Sequence, residues 1–436
     1  MPTGKRPHIV IIGAGFGGLS AVESLHKANV DITLIDRTNH HLFQPLLYQV
    51  ATAGLSPGDI AHPIRSILRK RDNVHVVMDE IVDINTAQKK VTGNDADYSY
   101  DYLVVATGAH HSYFGHDEWA AFAPGLKDLG DAILIRDRLL RTFEEAERLV
   151  GDPLLKELLT FVVIGGGPTG VELAGAIAEI ARKTMLPDFP RLKWSDIKVI
   201  LVEGGDRVLS TFTEDLSAYT LKALRSMDVD VRLQTIVTDI AAHHVQIGND
   251  SVPTRNVIWA AGNAASSLVA RLDAPKDRIG RVITNPDCSV AGLDSVFVIG
   301  DAAHFEENGK PLPGVAQVAI QQGRFVGKQI QRELRGINSK HSSSSVSSSV
   351  LPPPSSVFVY NDLGSMATIG RARAVADLGW IRMKGLVAWL AWAGLHVLQL
   401  ISFRNRLRVL IEWMWYYITF QPGARLLLKD QNRRRQ

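Results

Sequence analysis

The chain has 436 residues and a single cysteine, Cys288. One cysteine excludes an intramolecular disulfide, a dithiol relay and a thiolate metal cluster. Strong charge of either sign is also missing: the net charge of +3 gives no ground for a nucleic-acid partner. The first residues, MPTGKRPHIVIIGAG, run straight into a strand and a glycine turn, without the apolar stretch and small-residue cleavage site of a signal peptide. A cytoplasmic location, or the cytoplasmic face of an inner membrane, is therefore expected. Apolar residues make up 46% and charged residues 21%, which excludes global disorder and is enough for two or three cores. Long apolar runs are scarce as well. The apolar stretch 386–403 carries no formal charge over 18 residues, at the lower edge of what crosses about 30 Å of hydrocarbon.

What is present begins with a duplication. HIVIIGAGFGGLSAVESL (8–25) and FVVIGGGPTGVELAGAIA (161–178) each hold an apolar β-branched run, a glycine turn and a small-residue helix. Each is followed by a strand ending in an acid, Asp36 or Glu203. Two βαβ units imply an α/β fold of two Rossmann-like domains. The runs YDYLVVATGA (100–109), RNVIWAAGN (255–263) and VFVIGDAA (296–303) look like closing strands. Their order places the second domain (155–275) inside the first (1–120 and 280–379). HSSSSVSSSVLPPPSS (341–356) reads as a Ser/Pro-rich loop, and 380–436 as a C-terminal membrane-binding region.

In Gly13-x-Gly15-x-x-Gly18 the glycines allow a tight turn, close approach to a pyrophosphate and close helix packing, and Asp36 is spaced to accept a ribose hydroxyl. Gly165-x-Gly167-x-x-Gly170 repeats the pattern. Glu203 after its second strand favours a free 2′-hydroxyl, hence NADH over NADPH. Two dinucleotide sites suggest hydride transfer from a nicotinamide held by the second loop to a flavin held by the first. Gly300-Asp301 fits a ribityl contact; the alternative is a turn aspartate without a ligand. Glu172 reads equally as a first-turn acid stabilised by the helix dipole or as a carboxylate beside the nicotinamide that relays protons.

FQPLLYQVATAGL (43–55), IGGGPTGVELAG (164–175), VIWAAG (257–262), VFVIGDAA, GVAQVAIQQG (314–323) and MATIGRARAVA (366–376) together resemble a type II NADH dehydrogenase over nearly the full length. That family consists of single-subunit, non-proton-pumping NADH:quinone oxidoreductases with a glutathione-reductase-like architecture. The resemblance implies non-covalent FAD in the first domain and NADH in the second. It adds Arg37, Val82, Thr107, Gly108 and Lys384 to the FAD contacts, and Thr169, Ala261 and Gly262 to the NADH contacts. It implies that Gln317 and Gln321, four apart on one helix face, flank a membrane quinone at the flavin, with Gln317 also touching FAD. Read without the family, such a pair is a surface or capping pair. No metal is implied. Asp36 stands where the family commonly has glutamate, and the Ser/Pro run is longer than usual. Paired cysteines of disulfide reductases and sulfide:quinone oxidoreductases are missing.

The region 380–436 carries ten basic against two acidic residues, a net of +8, and five of the eight tryptophans. Arginines among tryptophans suit an anionic membrane surface. Leu407, Leu410, Ile411, Met414 and Ile418 form a stripe at helical spacing. Two in-plane helices fit this pattern better than a crossing; the bland reading is a basic, well-packed helical domain. The expected function is membrane-associated NADH:quinone oxidoreduction, and a homodimer is compatible with it. The competing expectations are a soluble NADH-dependent FAD reductase of a protein acceptor and an NADH-binding sensor without turnover.

Overall fold

The computed structural model describes residues 6–342, 357–419 and 424–427, so most of the Ser/Pro run 341–356 lies outside the described residues. The chain divides into two compact units. The first comprises 1–41, 62–110 and 263–362; the second comprises 42–61, 111–262 and 363–436.

In the first unit, five parallel strands lie in the order Val296–Val298, Tyr102–Val105, His8–Ile12, Asp31–Asp36 and Val74–Met78. Ile9 to Ile12 and Leu103 to Val105 are all buried, as continuous apolar runs in a sheet covered on both faces must be. The helix Phe16–Leu25 follows the first strand and packs on the long helix Ala316–Ser342. A Cβ at Gly323 would come within 2.2 Å of the Gly17 carbonyl oxygen, so glycine permits this helix contact.

The second unit repeats the plan with four parallel strands, ordered Val229–Arg232, Lys198–Val202, Thr160–Ile164 and Asn256–Trp259. Its glycine-loop helix is Pro168–Ile180, started by Pro168, whose missing N–H costs nothing at the first helical position. The chain beyond 363 forms an antiparallel sheet of Ser365–Thr368, Ala374–Asp377 and Arg382–Gly385. Two helices follow, Leu386–Gln399 and Phe403–Thr419.

Between those helices Ser402 adopts φ +79°, a left-handed conformation that breaks the uncharged run. The first helix has 14 residues, about 21 Å at about 1.5 Å per residue, well short of about 30 Å. No helix among the described residues is long and apolar enough to cross a membrane. Trp392 and Trp413 stack at 5.4 Å, and Trp392 stacks on His396 at 4.4 Å. Burial pushes the His396 imidazole down to about 4, so it packs as a neutral ring. The helix Phe403–Thr419 is fastened to 42–61: Asn405 donates to the Gly58 carbonyl at 3.4 Å and Trp413 Nε1 to Gln49 Oε1 at 2.8 Å. Phe403, Leu407, Leu410, Ile411 and Met414 remain exposed.

Candidate functional site

Each glycine loop is shaped by the backbone it must approach. At Gly13, φ is +98° and a Cβ would lie 2.4 Å from the Ala106 carbonyl oxygen; at Gly18 it would lie 1.8 Å from the Gly13 carbonyl oxygen. Gly15 faces open space, as does Gly108. The second loop matches position for position. Gly165 has φ +110° and meets Ala260, Gly170 meets the Gly165 carbonyl oxygen at 1.8 Å, and Gly167 is open. In both loops the middle glycine is the one that leaves room for a phosphate, at the N-terminus of a helix with unpaired N–H groups.

The two acids also play matching parts. Asp36 Oδ2 accepts from the Ala14 N–H at 2.7 Å, while Oδ1 accepts from the Thr38 N–H at 2.7 Å and its hydroxyl at 2.8 Å. Glu203 accepts from the Gly166 N–H at 2.5 Å and the Gly205 N–H at 2.6 Å. Each carboxylate therefore anchors its own glycine loop. Arg37 is exposed at the end of the strand Asp31–Asp36, and Val82 is exposed on Ile81–Asn85.

Thr107 Oγ1 is buried with no hydrogen-bond partner among the described residues, and its backbone N would lie 3.3 Å from a Cβ at Gly13. A buried orphan hydroxyl is costly unless something pairs with it. Beside an open glycine loop, it fits a polar dinucleotide. Gly300, at φ +67°, donates its N–H to Gln322 Oε1 at 2.7 Å. Asp301 and Arg281 border a cavity of about 90 Å³ in the same unit. Sequence reasoning missed Gln322, which is buried and holds the Gly300 turn; only its place after Gln321 in GVAQVAIQQG could have signalled it. It also missed His41, whose Nδ1 lies 2.9 Å from the Ala14 carbonyl oxygen and whose ring meets Phe16 edge-on. Burial holds that imidazole below its ordinary range.

Gln317 and Gln321 lie one turn apart near the start of the helix Ala316–Ser342. The Gln321 amide is engaged: Nε2 donates to the Asn361 carbonyl at 2.9 Å and Oε1 accepts from the Asn361 N–H at 3.0 Å. Gln317 is half-buried.

In the second unit, Glu172 accepts from the Thr368 N–H at 3.3 Å, and burial pushes its carboxyl up to about 8. Thr169 is in the first turn of the same helix, half-buried. Gly262 has φ +72°, and a Cβ there would lie 2.6 Å from the Ser112 carbonyl oxygen, with Ala261 half-buried before it. Lys384 is exposed, its Nζ 5.9 Å from the centre of the Tyr219 ring. The arginines 404, 406 and 408 are used differently from one another. Arg408 lies 3.5 Å from the buried Asp59 carboxylate, and Arg406 donates to the Leu400 carbonyl at 2.9 Å. Arg404 alone of the three stays exposed without such a tie among the described residues. Cys288 is buried, which pushes its thiol up and makes it a poor nucleophile. No group of His, Cys, Asp or Glu suited to a metal occurs among the described residues.

Two glycine-loop α/β units, each anchored by an acid, define a two-dinucleotide oxidoreductase. In agreement, the pyridine nucleotide-disulphide oxidoreductase family matches residues 7–323. The NDH2 C-terminal domain family matches 363–419. Type II NADH:quinone oxidoreductase Ndh of Mycobacterium tuberculosis is 40% identical over 98% of this chain and 91% of its own. External NADH-ubiquinone oxidoreductase 2 of Saccharomyces cerevisiae mitochondria is 30% identical over 95% of this chain and 81% of its own. The solved structure of NDH2 from Plasmodium falciparum in complex with NADH superposes with a TM-score of 0.85 at 21% identity, covering 98% of this chain and all of that one. The sulfide:quinone oxidoreductase of Aquifex aeolicus shares the fold at a TM-score of 0.70 and 18% identity, covering 92% of each chain. The chain belongs to the type II NADH:quinone oxidoreductase family.

Proposed function

We propose that this protein oxidises NADH and reduces a membrane quinone to quinol, with non-covalent FAD as its resident cofactor and without proton pumping. The observation that carries this reading is the repeated loop geometry: two open glycine turns, each braced by its own carboxylate, in a chain of this family. The first loop suits FAD, with the orphan Thr107 hydroxyl, Gly15 and the Gly300–Asp301 turn as its contacts. When bound, FAD accepts hydride and passes two electrons onward.

The chain's own residues bind, orient and exclude. The second loop holds NADH, with Gly167 open to the pyrophosphate and Glu203 favouring a free 2′-hydroxyl. Glu172 stands at the start of that loop's helix and, with its proton held up to about 8, is protonated at neutral pH and able to give that proton up. Gln317 offers an uncharged N–H donor to a quinone carbonyl, while Gln321 orders the chain beside it through Asn361. The exposed apolar face of the helix Phe403–Thr419, with Arg404, docks on an anionic leaflet at its cytoplasmic face. Purified protein is tested for bound flavin and for NADH oxidation with ubiquinone and menaquinone analogues. Colourless protein, or flavoprotein inert toward every quinone, refutes the reading.

A further inference from the structure

We propose that Glu179 and Tyr48 are the outer stations of a proton route that ends at Glu172. The inference rests on the function proposed above. NADH plus quinone plus one proton gives NAD⁺ plus quinol: hydride carries two electrons and one proton, so the second proton comes from water at every turnover.

Glu172 and Glu179 are seven residues apart on the helix Pro168–Ile180, two turns along one face and about 10 Å apart on the axis. Both carboxylates are held by one stretch of the C-terminal sheet: Thr368 N–H donates to Glu172 at 3.3 Å, and Arg371 N–H to Glu179 at 3.1 Å. Glu179, Tyr48, Gln49, Thr52, Trp392 and Trp413 border a cavity of about 60 Å³ in the same unit. That is room for about two waters at roughly 30 Å³ each, beside a wall of hydroxyl, amide and carboxyl groups able to hold them.

The Tyr48 hydroxyl continues inward. It lies 2.9 Å from Thr368 Oγ1 and accepts from Gln49 Nε2 at 3.0 Å. Its polarity is set from the far end. An indole N–H can only donate, so the 2.8 Å bond from Trp413 fixes Gln49 with its oxygen toward Trp413 and its NH₂ toward Tyr48. Tyr48 therefore does not donate to Gln49, and its hydrogen can be given to Thr368 Oγ1, a rotatable hydroxyl on the residue whose N–H holds Glu172. The charged groups facing Glu179 are Arg371 and Arg373 on the adjoining turn and Lys183 after its own helix, and all three favour its ionised form. Burial outweighs them and raises the carboxyl to about 7, where it can both take and release a proton.

The test uses the full-length, flavin-loaded protein with Glu179→Gln and, separately, Tyr48→Phe. Turnover with a short-chain ubiquinone is compared with turnover with ferricyanide, which takes electrons without protons. Both variants are expected to lower the ubiquinone-to-ferricyanide ratio about tenfold. They should also raise the solvent deuterium isotope effect on quinone turnover and move the alkaline limb of its pH profile. Millimolar azide or formate should restore quinone turnover to Glu179→Gln. A ratio within twofold of wild type overturns the proposal. So does a parallel fall of both activities with no isotope effect and no rescue. If Glu179→Gln yields no flavoprotein, Tyr48→Phe, which deletes one oxygen, decides by the same ratio and isotope effect. A wild-type protein that reduces ferricyanide but no quinone takes the proposed function down, and the proton route with it.

Discussion

Replacing Phe403, Leu407 and Met414 together by glutamate should detach the protein from lipid while leaving it folded. These side chains lie along one face of the helix Phe403–Thr419 and are 78%, 49% and 63% exposed. Complete burial of a large apolar side chain is worth about 1.5–3 kcal/mol, so the open portions contribute roughly 1–2 kcal/mol each, or about 3–6 kcal/mol for the three. At about 1.4 kcal/mol per tenfold change, partitioning onto vesicles should weaken by about 10²- to 10⁴-fold, before any cost of bringing charge near acyl chains. Folding stability should move by less than about 0.5 kcal/mol per site, because exposed positions contribute little to the core. Flotation with vesicles containing an anionic lipid measures the first effect, and thermal unfolding the second. A variant that floats as well as wild type would remove this helix face from membrane docking.

Gly13→Ala should give colourless protein, since its Cβ would strike the Ala106 carbonyl at 2.4 Å in a backbone of φ +98°; flavin absorbance after gel filtration checks this. Glu203→Ala frees the Gly166 and Gly205 N–H groups, and KM for NADH should rise by about tenfold or more as two charge-assisted bonds are lost, with the preference over NADPH narrowing in steady-state assays. Glu172→Gln should stabilise the protein at pH 9 and not below pH 4.5. The wild-type carboxyl binds its proton more tightly folded than unfolded, so its contribution is fully present below about 4.5 and is lost as pH rises through about 8. At about 1.4 kcal/mol per pH unit that interval is on the order of 5 kcal/mol at most, read as a difference in denaturant midpoints between pH 5 and pH 9.

The α/β fold with two dinucleotide units was legible because each glycine loop carries its own local constraints. A tight turn, a close backbone approach and a strand-end acid all fall within about forty residues. Contacts made by distant segments were not legible. FQPLLYQVATAGL stood out only by resemblance, and nothing in its composition announces that Gln49 would meet Trp413 or that Gly58 would meet Asn405. The arginines after 403 carry the same charge whether they face lipid or protein, so their count could not reveal that Arg408 turns to a buried Asp59. Likewise, three glutamines at 317, 321 and 322 look alike in sequence. Helix geometry turns Gln322 inward to Gly300 and leaves Gln321 to clasp Asn361.

Electron transfer from NADH through a bound flavin to quinone is measured by mixing purified protein with NADH under anaerobic conditions and then adding ubiquinone in detergent. The yellow chromophore should bleach with NADH and return on quinone addition, with one NADH consumed per quinol formed. A chromophore that bleaches but regains its colour only with a protein acceptor or oxygen, at a rate quinone does not change, would contradict it.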